Sequence, residues 1–272
     1  MKKLQWAFIL AILGAAGLSA DPVRQGLYLD QNLQAAYNPL GVQLGTKLFY
    51  RLPLVKKKGV LWESTKIDAG IVNNLSPAYD MAGGFVDIQP IAFFDLSLSA
   101  QFAGYFSALG YGFHDLDGYD SAFDETALNA LPAKDTGGYL LSAAPTLQFA
   151  AGPIVAVDTF TLNYFNVDGG QGYFYETIAN CALAKNGVEL ANQAYLLARL
   201  GPALMVGLND SLLHIPASGY ESHALHLMGI FTKDFNERAS LYSALMLGVY
   251  LSDRYDRHEP HAAGQVGVTV AL

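Results

Sequence analysis

Apolar and polar residues alternate with a period of two along most of the chain. The run Phe94-Asp95-Leu96-Ser97-Leu98-Ser99 opens the clearest example, in which one face is apolar and the other is small or polar. Because successive side chains of a strand point to opposite faces, this alternation predicts β-strands. The same pattern returns further along the chain, at 139–152, 241–251 and 266–272.

Short and long connections separate the predicted strands in strict alternation. The short ones lie at 91–93, 152–153, 201–202 and 234–238, and the long polar or glycine-rich ones at 73–81, 107–137, 166–188, 214–221 and 253–260. This organisation predicts about twelve strands, within a range of ten to fourteen because 166–188 could hide a further hairpin. The predicted strands are 26–37, 41–54, 64–74, 82–92, 94–107, 138–152, 153–166, 189–201, 202–214, 222–233, 239–252 and 261–272.

The composition indicates that these strands face lipid. Hydrophobic residues make up 52% of the chain, aromatic residues 12% and charged residues only 15%. Yet no run after residue 20 approaches the 18 consecutive apolar residues that a membrane-spanning helix needs. Closed barrels are the other way to satisfy every backbone hydrogen bond in hydrocarbon. The predicted fold is therefore all-β, a transmembrane antiparallel up-and-down β-barrel.

The first twenty residues have the organisation of a secretory signal peptide. Two lysines at positions 2 and 3 precede an apolar run from Leu4 to Leu18, and Ser19-Ala20 provides the small residues of a cleavage site. We therefore predict a signal peptide at 1–20 and a single barrel domain at 21–272. After removal of this segment with its two lysines, the chain has 14 basic and 24 acidic residues and a formal charge of −10. This charge argues against a nucleic-acid partner.

The signal peptide, the period-two pattern over about 240 residues and the final run Gly267-Val268-Thr269-Val270-Ala271-Leu272 resemble bacterial outer-membrane β-barrel proteins as a class. The resemblance implies location in the outer membrane of a Gram-negative bacterium, among outer-membrane lipid and lipopolysaccharide. It also implies that the barrel-assembly machinery recognises the last strand, although Leu272 stands where phenylalanine is usual. In this class the short turns lie in the periplasm and the long loops outside, which leaves 54–63 as an unusually long periplasmic connection.

Several charged or amide side chains are predicted to point into the barrel. Rings of charge set the selectivity of pores, so this set favours a porin-like passive channel for small hydrophilic solutes. The alternative is that these groups pair with one another and fill a closed lumen, in a structural or surface-interaction barrel that binds partners through its outer loops. The predicted inward residues are Lys47, Arg51, Lys66, Asp68, Asp87, Asp95, Gln101, Gln148 and Arg199.

An enzymatic role is disfavoured by the histidine spacing. Lipid-acting barrels such as outer-membrane phospholipase place a histidine and a serine two residues apart on one strand, and here serine follows none of the six histidines at that distance. A triad assembled from distant strands is the remaining enzymatic alternative. His223 and His226 are three apart, which puts them on opposite faces of a strand.

The long loop at 107–137 is acidic. Asp115, Asp117 and Asp120 have a spacing that resembles calcium-binding loops, because oxygen ligands two or three residues apart can converge on one hard cation. Calcium is the one cofactor that the sequence suggests; the alternatives are a solvated loop or a loop folded inward as a constriction. The single cysteine, Cys181, excludes an intramolecular disulfide and is expected in a loop.

Overall fold

The computed structural model describes residues 23–38, 40–55, 59–107, 112–169 and 172–272, and the backbone but not the side chain of Glu125. The predicted signal peptide lies outside the described residues. In chain order the elements are β1 (Gly26–Tyr37), β2 (Gly41–Pro53), β3 (Lys66–Leu75), β4 (Tyr79–Ile91), β5 (Phe94–Tyr105), β6 (Asp115–Leu116), α1 (Glu125–Ala130), β7 (Thr136–Ala151), β8 (Ile154–Val167), β9 (Tyr173–Glu176), β10 (Cys181–Ala184), β11 (Val188–Arg199), β12 (Leu204–Ile215), β13 (Tyr220–Asn236), β14 (Ala239–Ser252) and β15 (Pro260–Ala271).

Twelve of these strands form one closed antiparallel barrel, in the order β1-β15-β14-β13-β12-β11-β8-β7-β5-β4-β3-β2. The first and last strands pair from Tyr28↔Ala271 to Tyr37↔Ala262, so the sheet has no free edge. The all-β barrel of twelve strands is confirmed, and each predicted strand corresponds to one barrel strand. The short connections lie together at one end of the barrel, here called the short-turn end, and the opposite end is called the long-loop end.

Three further strands form a separate small sheet, in the order β10-β9-β6. The segment 166–188 does hold a further hairpin, formed by β9 and β10, but β9 pairs with β6 from the loop at 106–135 and the hairpin does not join the barrel. Cys181 lies in β10 rather than in a loop, and it is buried. Asp124 caps α1, where its side chain accepts hydrogen bonds from the N–H groups of Thr126 and Ala127.

No helix in the described part of the chain is long and apolar enough to cross a membrane.

Burial alternates along the barrel strands as the sequence pattern predicts. In β14, Leu245 is 55% exposed and Leu247 52% exposed on the outer face, whereas Met246 between them is 2% exposed in the lumen. His223 and His226 also lie on opposite faces, His226 being the buried one. Large apolar side chains therefore cover the outside of the barrel, as a surface in contact with lipid requires.

Replacing Leu245 with arginine should lower the free energy of unfolding by about 2 to 4 kcal/mol, because Leu245 lies at the middle of β14 on the outer face. Urea unfolding in lipid vesicles measures this change. Leu245→Met is the matched control and should leave the midpoint nearly unchanged. Equal midpoints for the two variants would place residue 245 away from lipid.

Candidate functional site: the occupied lumen

A folded insert fills the long-loop end of the barrel. We call it the plug and define it as residues 112–135 and 172–187, which contain β6, α1, β9 and β10. The plug side chains Phe174 and Cys181, both 0% exposed, belong to one apolar cluster with Tyr105 and Phe165 of the barrel wall. These wall residues lie near the ends of β5 and β8, so the cluster closes the barrel at its long-loop end.

Aromatic contacts hold the plug against the wall. The Phe174 ring stacks on Phe113 with 5.2 Å between centroids, and its centroid lies 6.2 Å from those of Tyr105 and Phe165. Edge-to-face and stacked aromatic pairs at these distances add stability beyond their burial. The loop at 107–137 is therefore folded inward, as one of the sequence alternatives predicts.

The small sheet is buried on both faces. Residues 174 and 175 are adjacent in β9 and must point in opposite directions. Phe174 joins the wall cluster, whereas Tyr175 joins a second cluster with Phe123 and with Leu128 of α1. The helix thus packs on the face of the small sheet opposite the wall cluster.

Two buried carboxyl groups lie between the plug and the wall. Glu176 of β9 and Glu189 of β11 are both fully buried. Asn163 donates a hydrogen bond to Glu189 over 2.8 Å, and the backbone N–H of Ala179 donates to Glu176. Burial raises the pKa of Glu176, and the charge of Glu189 adds to the rise. The pair therefore holds a proton more readily than two exposed carboxylates do.

A charged wall lines the lumen toward the short-turn end, on β2 to β5. Asp68 accepts two hydrogen bonds from the Arg51 guanidinium, at 2.8 and 2.7 Å, and lies 3.2 Å from the Lys66 ammonium. The Lys47 ammonium lies 3.8 Å from the Asp87 carboxylate. Opposite charges are thus interleaved, and they neutralise one another within the wall.

All nine residues predicted to point inward are on the inner face of their strands. Asp95 lies among the charges of the wall and interacts electrostatically with Asp87 and Lys66. Gln101 accepts a hydrogen bond from Asn74 and donates one to Ser99, and Gln148 donates to the backbone oxygen of Ala92. Arg199 is the last residue of β11. That these residues line a conducting pore stays a prediction.

Two histidines on the inner face of the barrel, His226 and His261, contact each other in a way that the sequence did not reveal. We call this pair the histidine relay. His226 and His261 are both buried, with 2.7 Å between Nε2 of His226 and Nδ1 of His261. They meet across β14 because Gly248 stands between them in register, and a Cβ at Gly248 would come within 2.5 Å of the His226 ring. Only the absence of this side chain allows residues 35 positions apart to touch.

The hydrogen bonds fix the protons of the relay. The Asn209 amide donates to Gln193 over 3.0 Å, so its oxygen accepts from Nδ1 of His226 over 2.9 Å. Nε2 of His226 then accepts from Nδ1 of His261, which leaves the lone pair on Nε2 of His261 without a partner among the described residues. The relay borders a cavity of about 60 Å³ that the plug residues Ile178–Asn180 also line. Chemically, this lone pair can accept a hydrogen bond or a proton.

The three aspartates proposed as calcium ligands do not converge. Asp115 pairs with Lys134, and Asp120 lies 3.3 Å from Arg254. Within the described ranges no group of three or more carboxylate, imidazole or thiol side chains could hold a metal ion. The ion pairs of Asp115 and Asp120 instead join segments of the plug and the 253–259 loop. The calcium prediction rests on the sequence alone.

Comparisons with known proteins identify the fold. No protein-family model and no curated protein matches the chain. Among solved structures, the β domain of the Bordetella autotransporter BrkA is 11% identical, with a TM-score of 0.50 over 92% of this chain and 100% of that one. The NanC porin is 8% identical with a TM-score of 0.45, over 90% and 100% of the two chains. The translocator domain of the autotransporter NalP from Neisseria meningitidis is 9% identical with a TM-score of 0.44, over 96% and 92%. The chain therefore has the fold of outer-membrane β-barrels.

Proposed function

We propose that the protein is an outer-membrane β-barrel with an occupied lumen, which works through its outer loops as a structural or surface-interaction protein of a Gram-negative cell. In this proposal the signal peptide at 1–20 is removed on export. The short-turn end faces the periplasm and the plug faces outward. No catalytic step is part of the proposal.

The observation that carries the proposal is the apolar packing of the plug. Ejecting the plug would expose Phe113, Phe174 and Leu183, each of them at most 1% exposed. At about 1.5 to 3 kcal/mol for each large apolar side chain, this exposure alone costs roughly 5 to 9 kcal/mol. Spontaneous opening is then too rare to support a steady passive flux of solutes.

The outer surface supports the second part of the proposal. Arg254 donates to the backbone oxygen of Tyr119, Asn180 donates to Asp256, and Tyr220 donates to Asp253. The first two bonds tie the 253–259 loop to the plug, and the third ties it to β13. A partner would therefore meet a pre-organised surface, which lowers the entropy lost on binding.

A porin-like channel for small hydrophilic solutes is the second candidate, favoured by the charged wall. The Lys47 and Asp87 side chains are 31% and 21% exposed, so this part of the lumen is open to water. A path past the plug would make these charges the selectivity element.

Single-channel recording in a planar bilayer separates the two candidates. The folded chain should be silent, whereas a variant with residues 173–184 replaced by a short Gly-Ser linker should give discrete steps, provided that its band still shifts on boiling in a gel. Steady steps from the unchanged chain would overturn the occupied-lumen proposal in favour of the channel. A salt gradient would then give the ion preference of the charged wall.

A further inference from the structure

The outer face of β8 and β12 carries two carboxylates among large apolar residues. Asp158 lies between Ala156 and Phe160 along its face of β8, and Asp210 lies between Leu208 and Leu212 on β12. Their side chains point away from the lumen, because Val157 and Asn209 beside them are the buried inward residues. Ionisable groups on a lipid-facing surface are unfavourable and mark a functional surface.

The two carboxylates border one groove. Ala194 of β11 is in register with both Asp158 and Asp210, so it separates them across the sheet. The small side chains of Ala156 and Ala194 form the floor, and larger apolar residues form the walls of a groove of about 450 Å³. Small residues at a membrane-embedded surface allow close approach of a second protein surface.

Hydrogen-bond donors lie beside the acceptors. The Asn192 amide donates to Asp158 over 2.7 Å, and the His223 imidazole lies 3.0 Å from the Asp210 carboxylate. The Asp210 and His223 side chains remain 48% and 34% exposed. Each carboxylate thus has further capacity to accept hydrogen bonds from outside the chain.

We propose that a second copy of this chain packs on the groove, in a two-fold dimer whose axis runs parallel to the barrel axis between β11 and β12. Both copies cross the membrane in the same direction, which requires an axis of this orientation. Asn192 and Asp210 lie on adjacent strands with a register offset of two residues, since Asn192 pairs with Leu212 and Ala194 with Asp210. The rotation brings the Asn192 amide of each copy opposite the Asp210 carboxylate of the other, so the patch is self-complementary, as a two-fold interface must be. This inference does not depend on whether the lumen conducts.

The opposite wall provides a control surface. Around the barrel, β2 and β3 lie diametrically across from β11 and β12. Several outer residues there are apolar, among them Leu44, Ala69 and Ile71. Ala69 is thus a small outward residue like Ala194, but without neighbouring carboxylates.

Native mass spectrometry in mild detergent tests the dimer directly. The unchanged chain should give the mass of two copies, Ala194→Trp should give one, and Ala69→Trp should still give two. Asn192→Leu should raise the dimer dissociation constant by about tenfold or more, because it removes two equivalent donors. A monomeric mass for the unchanged chain, or a dimer that tolerates Ala194→Trp, would overturn the proposal.

Disulfide trapping in lipid vesicles gives an independent readout, because a residue close to a two-fold axis meets its own copy. In a Cys181→Ala background, Ala194→Cys should form a disulfide-linked dimer on mild oxidation, and Ala69→Cys should not. Cross-linking at residue 69 but not at residue 194 would move the interface to the opposite wall and refute the proposed axis.

Discussion

Asp68→Ala should lower the free energy of unfolding by about 3 to 5 kcal/mol. The Asp68 side chain is 5% exposed, and it receives two hydrogen bonds from Arg51 and an ion pair from Lys66. Its removal leaves the Arg51 and Lys66 cations, whose side chains are only 22% and 20% exposed, close together without the carboxylate that they share. Urea unfolding in lipid vesicles, followed by circular dichroism, measures the loss.

Two further variants separate the ion pair from packing. Asp95→Asn changes a carboxylate that lies among the same charges but has no ion pair within 4.0 Å in the described structure. This variant should lower the free energy of unfolding much less than Asp68→Ala does. Arg51→Met combined with Asp68→Leu should recover part of the loss, because the buried charge and its partner are removed together. If Asp68→Ala and Asp95→Asn unfolded at the same urea concentration, the wall would be wet enough to screen the pairs.

Phe174→Ala should destabilise the docking of the plug by about 3 to 5 kcal/mol, since Phe174 is fully buried and contacts three aromatic rings. Cys181 offers a direct readout because it is the single cysteine and is itself 0% exposed in the same cluster. Its reaction with a maleimide requires local opening of the plug. A loss of about 3 kcal/mol should therefore accelerate labelling by roughly a hundredfold.

The control for this experiment is Phe102→Ala, which removes the same ring from the outer face of β5, where it is 63% exposed. It should leave the labelling rate of Cys181 unchanged. Rapid labelling of the unchanged chain, as fast as in the boiled protein, would show that the plug is not docked in solution.

Most of the barrel could be predicted from the sequence, because period-two alternation and short turns are local signals. The β8 segment shows where alternation becomes ambiguous. Val155 and Val157 belong to an apolar cluster inside the lumen, so both faces of this strand are apolar. The alternation alone therefore does not show whether Asp158 points into the lumen or outward. The groove that Asp158 and Asp210 border on the outer face therefore required the structure.

The plug and the histidine relay could not be predicted because they depend on long-range register. Strand β6 has two residues and β9 and β10 have four each, too few to show a period. The pairing of Asp115 with Phe174 joins two separate loops. His226 and His261 meet only through the registers of two strand pairs and the missing side chain of Gly248. If the strand register had been known, Gly248, which lies between two inward-facing histidines on the neighbouring strands, would have indicated this contact.

The seam between β1 and β15 constrains the order of assembly. Its polar contacts join very distant positions, such as Thr269 and Asp30, whose sequence separation is 239. Until these strands meet, the edges of β1 and β15 would present unpaired N–H and C=O groups, which hydrocarbon cannot solvate. The seam is therefore expected to close late and slowly, after a large loss of chain entropy. Before that moment another protein surface has to pair with the two open edges of the growing sheet. Pairing of the last strand, β15, with β1 then frees the barrel from that surface.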